Sequence, residues 1–372
     1  MRVLMTGGGT GGHINPALSI AAIIKAHCPE AEFLFVGAKG RMEERLVPAA
    51  GYTLRTVQVS GFQRKISLKN IGRNLKAAVH AVTASSACGK IIKEFQPDIA
   101  IGTGGYVSGP VLRKAAKMGI PVAVHESNAY PGVTVKMLAK YADLVMICDE
   151  AAAKYLPEGT RIAVTGNPVN GGFTSLDRDA ARRELGLDGR PMVLSVGGSL
   201  GARRINEVMT QVLIRSHGAG GLQHIHATGR QGYQTVADAL TAAGVPLKGE
   251  GIWVRDYIDD MPRCMAAADL VISRCGAMTL SELPVAGKAA ILIPSPYVAE
   301  NHQYHNAMAL VEKGAAICIE EKDLTEASLW QALEQVLSHP ETRRKMEACA
   351  KAAAITDADR RVWEAIAPLL KK

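Results

Sequence analysis

The run Gly7-Gly8-Gly9-Thr10-Gly11-Gly12-His13, directly after the apolar stretch Val3-Leu4-Met5, constrains this chain more than any other feature. Five glycines in six positions leave backbone N–H groups bare, so that an anion can approach them closely. Asn15 is a good helix cap and Pro16 suits a first helical position. The expected order is therefore strand, glycine turn, and a helix opening at Asn15 and Pro16. Such a unit carries a phosphate site at a helix N-terminus, beyond the carboxyl end of a strand. His13 stands at its edge as the one ionisable residue.

Apolar runs alternate with amphipathic stretches along the chain. Expected strands are Glu32 to Val36, Asp98 to Ile101, Pro121 to Val124, Leu144 to Ile147, Met192 to Val196, Leu270 to Ile272 and Ala290 to Ile293. They read as strands buried on both faces, and the helices between them imply parallel sheets of βαβ units. With 372 residues, one core is too small a prior, and the pattern restarts. A strand from Ile162 to Thr165 runs into Gly166-Asn167-Pro168, and Val193 to Val196 then leads into Gly197-Gly198-Ser199-Leu200-Gly201-Ala202-Arg203. The fold class is α/β, with two Rossmann-like parallel-sheet domains facing a cleft. Their expected spans are 1–166 and 167–353, with a C-terminal helix of about 354–372 packing back on the first.

Composition removes several classes. Aromatics make up only 5%, which speaks against a base-stacking nucleic-acid binder, and the net charge of +8 fits an acidic partner such as a phosphate or an anionic lipid. Seven scattered cysteines without a C-x-x-C pair fit a reducing compartment. The N-terminus enters a strand at once, so no signal peptide is expected, and no apolar run is long enough to span a membrane. His224 with His226 and His302 with His305 lack a third ligand and read as isolated polar histidines. Asp177-Arg178-Asp179 and Asp357-Ala358-Asp359 fall at polar helix starts and read as caps, so neither metal nor cofactor is expected.

Gly7, Gly9 and Gly12 satisfy a dinucleotide fingerprint, but the second strand ends Val36-Gly37-Ala38-Lys39 without the acid that binds a ribose. A better phosphate site lies later. The strand at Leu270 leads through Ser273-Arg274-Cys275-Gly276 into a helix whose N–H groups at Ala277 to Thr279 suit a diphosphate. Glu282, about one turn further on, suits two vicinal hydroxyls. An ordinary capped helix with a solvated Glu282 fits the spacing equally well. Pro284 should bend or shorten that helix.

An ordered set of motifs carries a resemblance over nearly the whole chain. They are Gly7 to His13, Gly104-Gly105-Tyr106-Val107-Ser108-Gly109-Pro110, His125-Glu126-Ser127-Asn128, Gly166 to Val169, Gly197 to Ala202, Tyr257-Ile258-Asp259-Asp260-Met261, Gly276 to Glu282, and Asn301-His302-Gln303 with Asn306. On these the sequence resembles the MurG family, which transfers N-acetylglucosamine onto the lipid-linked muramyl-peptide precursor of peptidoglycan. The resemblance implies a GT-B fold and an inverting transfer from UDP-N-acetylglucosamine to the muramyl 4-hydroxyl of lipid I, giving lipid II. It places donor contacts at Thr10, Gly11, Gly12, Asn128, Ser199, Ile258, Ala277, Met278, Thr279, Leu280, Ser281, Glu282 and Gln303, with Glu282 on the ribose and the Ile258 backbone on the uracil. It sets Gly104, Gly105 and Tyr106 on the acceptor side. The chain departs from the family at Asn170, where relatives carry Arg, at Cys275 for Ser and at Ala289 for Pro.

The attacking hydroxyl must lose a proton. His13 is the favoured general base by position, and Glu126 is its rival. The acceptor's polyprenyl chain implies a peripheral protein on the cytoplasmic face of the cell membrane, working with other cell-wall synthesis proteins. Leu68, Ile71, Leu75, Val79 and Val82 recur at helical spacing beside Arg64, Lys65, Lys69, Arg73 and Lys76, which suits an anionic membrane surface or a helix packed on the sheet. Two alternatives remain at this point. One is another UDP-sugar GT-B protein, either a lipid glycosyltransferase or a UDP-N-acetylglucosamine 2-epimerase. The other is a binding module without catalysis.

Overall fold

The computed structural model describes residues 1–59, 84–169, 171–198 and 200–370. The amphipathic segment 62–82, Asn170 and Ser199 lie outside the described residues. The chain divides into two compact units: Met1–Pro168 with Asp357–Lys372, and Val169–Thr356.

In the first unit the strands are β1 (Arg2–Thr6), β2 (Glu32–Ala38), β3 (Thr53–Val57), β4 (Ile99–Gly102), β5 (Val122–Glu126), β6 (Leu144–Ile147) and β7 (Ile162–Val164). They form one parallel sheet in the order β3-β2-β1-β4-β5-β6-β7. The alternation of side chains along β1 feeds both faces. Val3 and Met5 pack with Ile14, Ala17 and Ile20 of the helix Gly11–His27, while Leu4 joins Val111 and Leu112 on the opposite face. The helix Ala358–Ile366 returns from the far end of the chain and buries Val362 and Ile366 in the first of these faces. Its Trp363 stacks on His27 with ring centroids 4.4 Å apart. Each aliphatic side chain buried this way contributes roughly 1.5–3 kcal/mol.

In the second unit the strands are β8 (Met192–Val196), β9 (Gln223–Ala227), β10 (Lys248–Gly249), β11 (Ile252–Arg255), β12 (Leu270–Ser273), β13 (Ala290–Leu292) and β14 (Ala316–Cys318). Their order is β10-β11-β9-β8-β12-β13-β14, and every pairing is parallel except β10 with β11. Just before β12, the buried carboxylate of Asp269 gathers Arg178, Arg182 and Arg343 and accepts the Met192 N–H at 2.8 Å. This cluster ties the helices Arg178–Glu184 and Pro340–Ala353 to the end of the sheet away from the glycine turns.

Strand order reverses beside β1 in the first sheet and beside β8 in the second. β1 lies between β2 and β4, and β8 between β9 and β12. In such sheets ligands bind beyond the carboxyl ends of the strands at this switch point. All four loops leaving those ends (after β1, β4, β8 and β12) carry the glycine-containing motifs.

Two expectations need correction. The first helix opens at Gly11 with Thr10 as its cap residue, and Pro16 falls inside it. Thr10 is extended (φ −144°, ψ 158°), and its carbonyl accepts both His13 N–H and Ile14 N–H at 3.1 Å. Thr103 Oγ1 also donates to the His13 carbonyl at 2.6 Å, so tertiary contacts hold glycines in a turn that propensity alone disfavours. Secondly, β3, β9, β10, β11 and β14 were not among the expected strands. β9 reads Gln-His-Ile-His-Ala, yet all of it is buried. His224 is hydrogen-bonded to Ser216 Oγ at 2.8 Å and His226 to Ser195 Oγ at 2.8 Å, which lets two imidazoles occupy a core strand.

Candidate active site

In the first unit, the loops after β1 and β4 pack backbone against backbone. Gly105 has φ +83°, and a methyl group there would collide with the Gly8 carbonyl. A methyl at Gly104 would lie 2.9 Å from His13 Cδ2 and 3.2 Å from Nε2, so the imidazole lies against that turn. His13 Nδ1 is 3.1 Å from the Gly8 carbonyl oxygen and 3.2 Å from Thr10 Oγ1. A carbonyl only accepts, so the neutral ring carries its proton on Nδ1 and its lone pair on Nε2. Thr10 and Gly12 are exposed, and Gly11 is half-buried. The helix they open has no side-chain cap and no acid in its first turn, as an anion site requires. Tyr106 is exposed just before the helix Ser108–Lys117, whose Ser108 Oγ donates to the Gly104 carbonyl at 2.6 Å.

The end of β5 organises the next loop. Both oxygens of the buried Glu126 carboxyl are engaged: Oε1 accepts Asn128 N–H at 2.9 Å and Asn128 Nδ2 at 2.8 Å, and Oε2 accepts Gly132 N–H at 2.8 Å. Burial raises the Glu126 pKa, and these donors oppose the rise. His125, buried, donates from Nε2 to the Gly166 carbonyl at 3.1 Å, and burial lowers its pKa to about 4. Asn167 Nδ2 donates to the Ser127 carbonyl at 3.0 Å. The motifs at 125–128 and 166–167 thus form one hydrogen-bonded corner.

In the second unit, the loops after β8 and β12 border a cavity of about 750 Å³ lined by Gly197, Gly198, Ser273, Gly276, Thr279 and Gln303 among others. The helix Ala277–Val285 opens at Gly276, again with no side-chain cap and no acid in its first turn. The helix Arg203–Ala219 likewise has no side-chain cap. Both N-termini are electropositive and fit a diphosphate. Ser281 Oγ donates to the Ala277 carbonyl at 3.1 Å, while Met278 and Leu280 are half-buried on the same helix. Glu282 is half-buried, and burial raises its pKa to about 7. The Ile258 side chain is buried beside Met265 and Leu283. Gln303 Oε1 accepts Ser295 N–H at 2.9 Å and Cys275 N–H at 3.4 Å, which directs its amide N–H groups the other way.

Residues 3–147 match the glycosyltransferase family 28 N-terminal domain, and residues 192–362 match the glycosyltransferase family 28 C-terminal domain. Over 373 aligned positions the chain is 41% identical to a Bacillus cytotoxicus protein, with both chains covered in full. That relative is the UDP-N-acetylglucosamine--N-acetylmuramyl-(pentapeptide) pyrophosphoryl-undecaprenol N-acetylglucosamine transferase. This chain belongs to the MurG family within glycosyltransferase family 28. An Acetivibrio thermocellus relative of the same description is 41% identical, covering 100% of this chain and 99% of its own. The crystal structure of Acinetobacter baumannii MurG superposes with a TM-score of 0.81 at 27% identity, covering 99% of each chain. A Neisseria meningitidis UDP-GlcNAc 2-epimerase bound to UDP-GlcNAc has a TM-score of 0.65 at 14% identity, over 99% of this chain and 100% of that one, and shares the fold.

Within this MurG-family frame, the structure adds one group that sequence reading left unassigned. Arg274 lies in the cavity wall, pairs with Glu321, and donates to the carbonyls of Ile293 at 3.2 Å and Pro294 at 3.1 Å. It thereby fixes the strand end whose Ser295 N–H orients Gln303. Its position between a buried strand and a glycine turn is the only signal the sequence offers. Two family departures are buried: Cys275, whose carbonyl accepts Asn306 Nδ2 at 3.3 Å, and Ala289.

Proposed function

We propose that this chain is the inverting transferase that moves N-acetylglucosamine from UDP-N-acetylglucosamine to the muramyl 4-hydroxyl of lipid I, giving lipid II. The observation that carries this reading is the end-to-end 41% identity to a transferase of that description, with four of the family motifs (those at 7–13, 104–110, 197–202 and 276–282) standing at switch-point loops. The second unit takes the donor. Helix N-termini at Ala277 and Arg203 hold the diphosphate, Glu282 accepts from the ribose hydroxyls, the Ile258 backbone meets the uracil, and the Gln303 amide donates to the sugar. These dipoles favour the charge that grows on departing UDP.

The first unit takes the acceptor. His13 accepts the hydroxyl proton at Nε2 while the Gly8 carbonyl holds Nδ1–H, which stabilises the imidazolium that forms. Glu126 serves the same corner as a positioning residue, since its oxygens are committed to Asn128 and Gly132. Attack on the anomeric carbon with one displacement inverts α to β. Among the described residues no helix is long and apolar enough to cross a membrane, and we place the protein peripherally at the cytoplasmic face of the cell membrane.

Radiolabelled transfer from UDP-N-acetylglucosamine to a lipid-linked muramyl acceptor, with EDTA present, tests the function and its metal independence. Release of an epimerised sugar without any acceptor would instead support a 2-epimerase.

A further inference from the structure

Glu43 has no part in the site described so far, yet its carboxyl forms the floor of the first glycine loop. The residue is fully buried in the first turn of the helix Glu43–Ala49. Its side chain passes between two glycines. A methyl at Gly37 would lie 2.8 Å from Glu43 Cγ, and a methyl at Gly8 would collide with the carboxyl itself. Oε1 accepts the N–H of Ala38, the last residue of β2, at 3.1 Å. Oε2 is buried and has no hydrogen-bond partner among the described residues. A side chain that merely filled this space would be apolar, because a buried carboxyl oxygen left unpaired costs stability.

What the carboxyl touches suggests why it is kept. Gly8 supplies the carbonyl that accepts from His13 Nδ1 at 3.1 Å. The same carbonyl is backed by Gly105, where no side chain would fit. Gly8 is thus held from one side by Glu43, anchored to the end of β2, and from the other by the turn after β4. Its peptide has little room to rotate.

We propose that Glu43 is a positioning residue for the transfer, acting through Gly8 to fix the carbonyl that sets the His13 tautomer and aims Nε2 at the acceptor hydroxyl. The inference rests on the reading of His13 as the base. Glu43 is buried, and it acts through the loop alone.

The test is a double-mutant cycle in the full-length chain, assayed by transfer to the lipid-linked muramyl acceptor. Glu43→Ala should lower kcat by about tenfold or more, with the KM for UDP-N-acetylglucosamine within about twofold. Glu43→Gln keeps the acceptor for Ala38 N–H and should stay within about threefold of the parent. The acidic limb of the kcat profile should move to lower pH in Glu43→Ala, because a misplaced Gly8 carbonyl no longer favours the imidazolium. A purely structural role would reduce the active fraction and leave that limb in place. In a His13→Ala background, Glu43→Ala should cost less than about twofold. If Glu43→Ala does not fold, Glu43→Asp, one methylene short of Ala38, replaces it with the same expectations at reduced size. Unchanged kcat, an unmoved limb, or a full Glu43→Ala penalty on top of a costly His13→Ala overturns the inference alone. A His13→Ala variant that keeps near-parental turnover overturns the base reading, and this inference with it.

Discussion

Donor binding should depend on pH through one carboxyl, Glu282. Burial raises its pKa from the usual carboxyl range to about 7. Only the ionised form offers acceptors to both ribose hydroxyls, so binding requires the proton to leave. The affinity for UDP-N-acetylglucosamine therefore approaches its full value about one unit above pH 7, is about halved at 7, and weakens towards a tenfold loss per unit as pH falls further. The ligand must be the sugar nucleotide and not free UDP. A terminal phosphate has its second pKa near 6 and would add a slope of its own, whereas the diphosphate of the sugar nucleotide is esterified at both ends. Glu282→Gln keeps the shape and one neutral acceptor. Hydrogen bonds to a charged group contribute roughly 1.5–3 kcal/mol against about 1 for neutral ones, so losing the charge on two hydroxyls should cost about 2 kcal/mol, or roughly thirtyfold in Kd. Isothermal titration calorimetry between pH 5.5 and 8 reads both effects. The Glu282→Gln curve should be flat across the range where the parent curve falls. A flat parent curve, or a variant with the parental slope, would refute the assignment of this carboxyl to the ribose.

Gly104→Ala places a methyl 2.9 Å from His13 Cδ2 at φ +101°, and should lower turnover by about tenfold or more while calorimetric donor affinity is unchanged. Gln303→Glu keeps the acceptor for Ser295 and Cys275 but replaces the amide donor with a negative charge, so the KM for the donor should rise by about tenfold or more. Asp269→Ala strands the buried ends of Arg182 and Arg343 and should destabilise the second unit by about 3–5 kcal/mol in urea unfolding. Acid should also act on the second unit more than the first. Burial lowers His224 to about 3 and His226 to about 4, and among the described residues of the first unit it lowers His125 to about 4. Unfolded histidines take up protons below pH 6.5 and these do not, so stability is lost as pH falls from 6.5 towards 4, by about 3 kcal/mol for a histidine shifted that far. Differential scanning calorimetry at stepped pH should show the second unit's transition falling faster.

The purely aliphatic strands were legible because only a two-face-buried strand tolerates runs such as Leu144 to Ile147. The glycine turns were legible because bare backbone at a strand end has few other uses. The strand at β9 was hidden, since His224 and His226 look polar until Ser216 and Ser195 are seen to bond one ring nitrogen of each. The helix start at Gly11 was hidden as well. It is set by Thr103, ninety positions away, and Asn15 with Pro16 offered a locally better cap. Among site groups, His13, Glu282 and Gln303 announced themselves by residue type within a motif. The bonds that commit Glu126 to Asn128 and Gly132, the Arg274 contact to the Pro294 carbonyl and the packing of Glu43 on Gly8 depend on side-chain direction, which spacing does not encode.

The return of Ala358–Ile366 to the first sheet bears on how the protein is made. As the chain leaves the ribosome, the first unit emerges early but lacks Val362, Ile366 and Leu369, which complete the face formed by Val3, Met5, Ile14 and Ile20. The second unit, one continuous stretch, has every residue it needs before that helix is synthesised. Translation therefore finishes the later unit first and leaves an apolar face of the earlier one open until Val362, Ile366 and Leu369 arrive. A released chain truncated after Thr356 should show a protease-resistant second unit and a protease-sensitive first one.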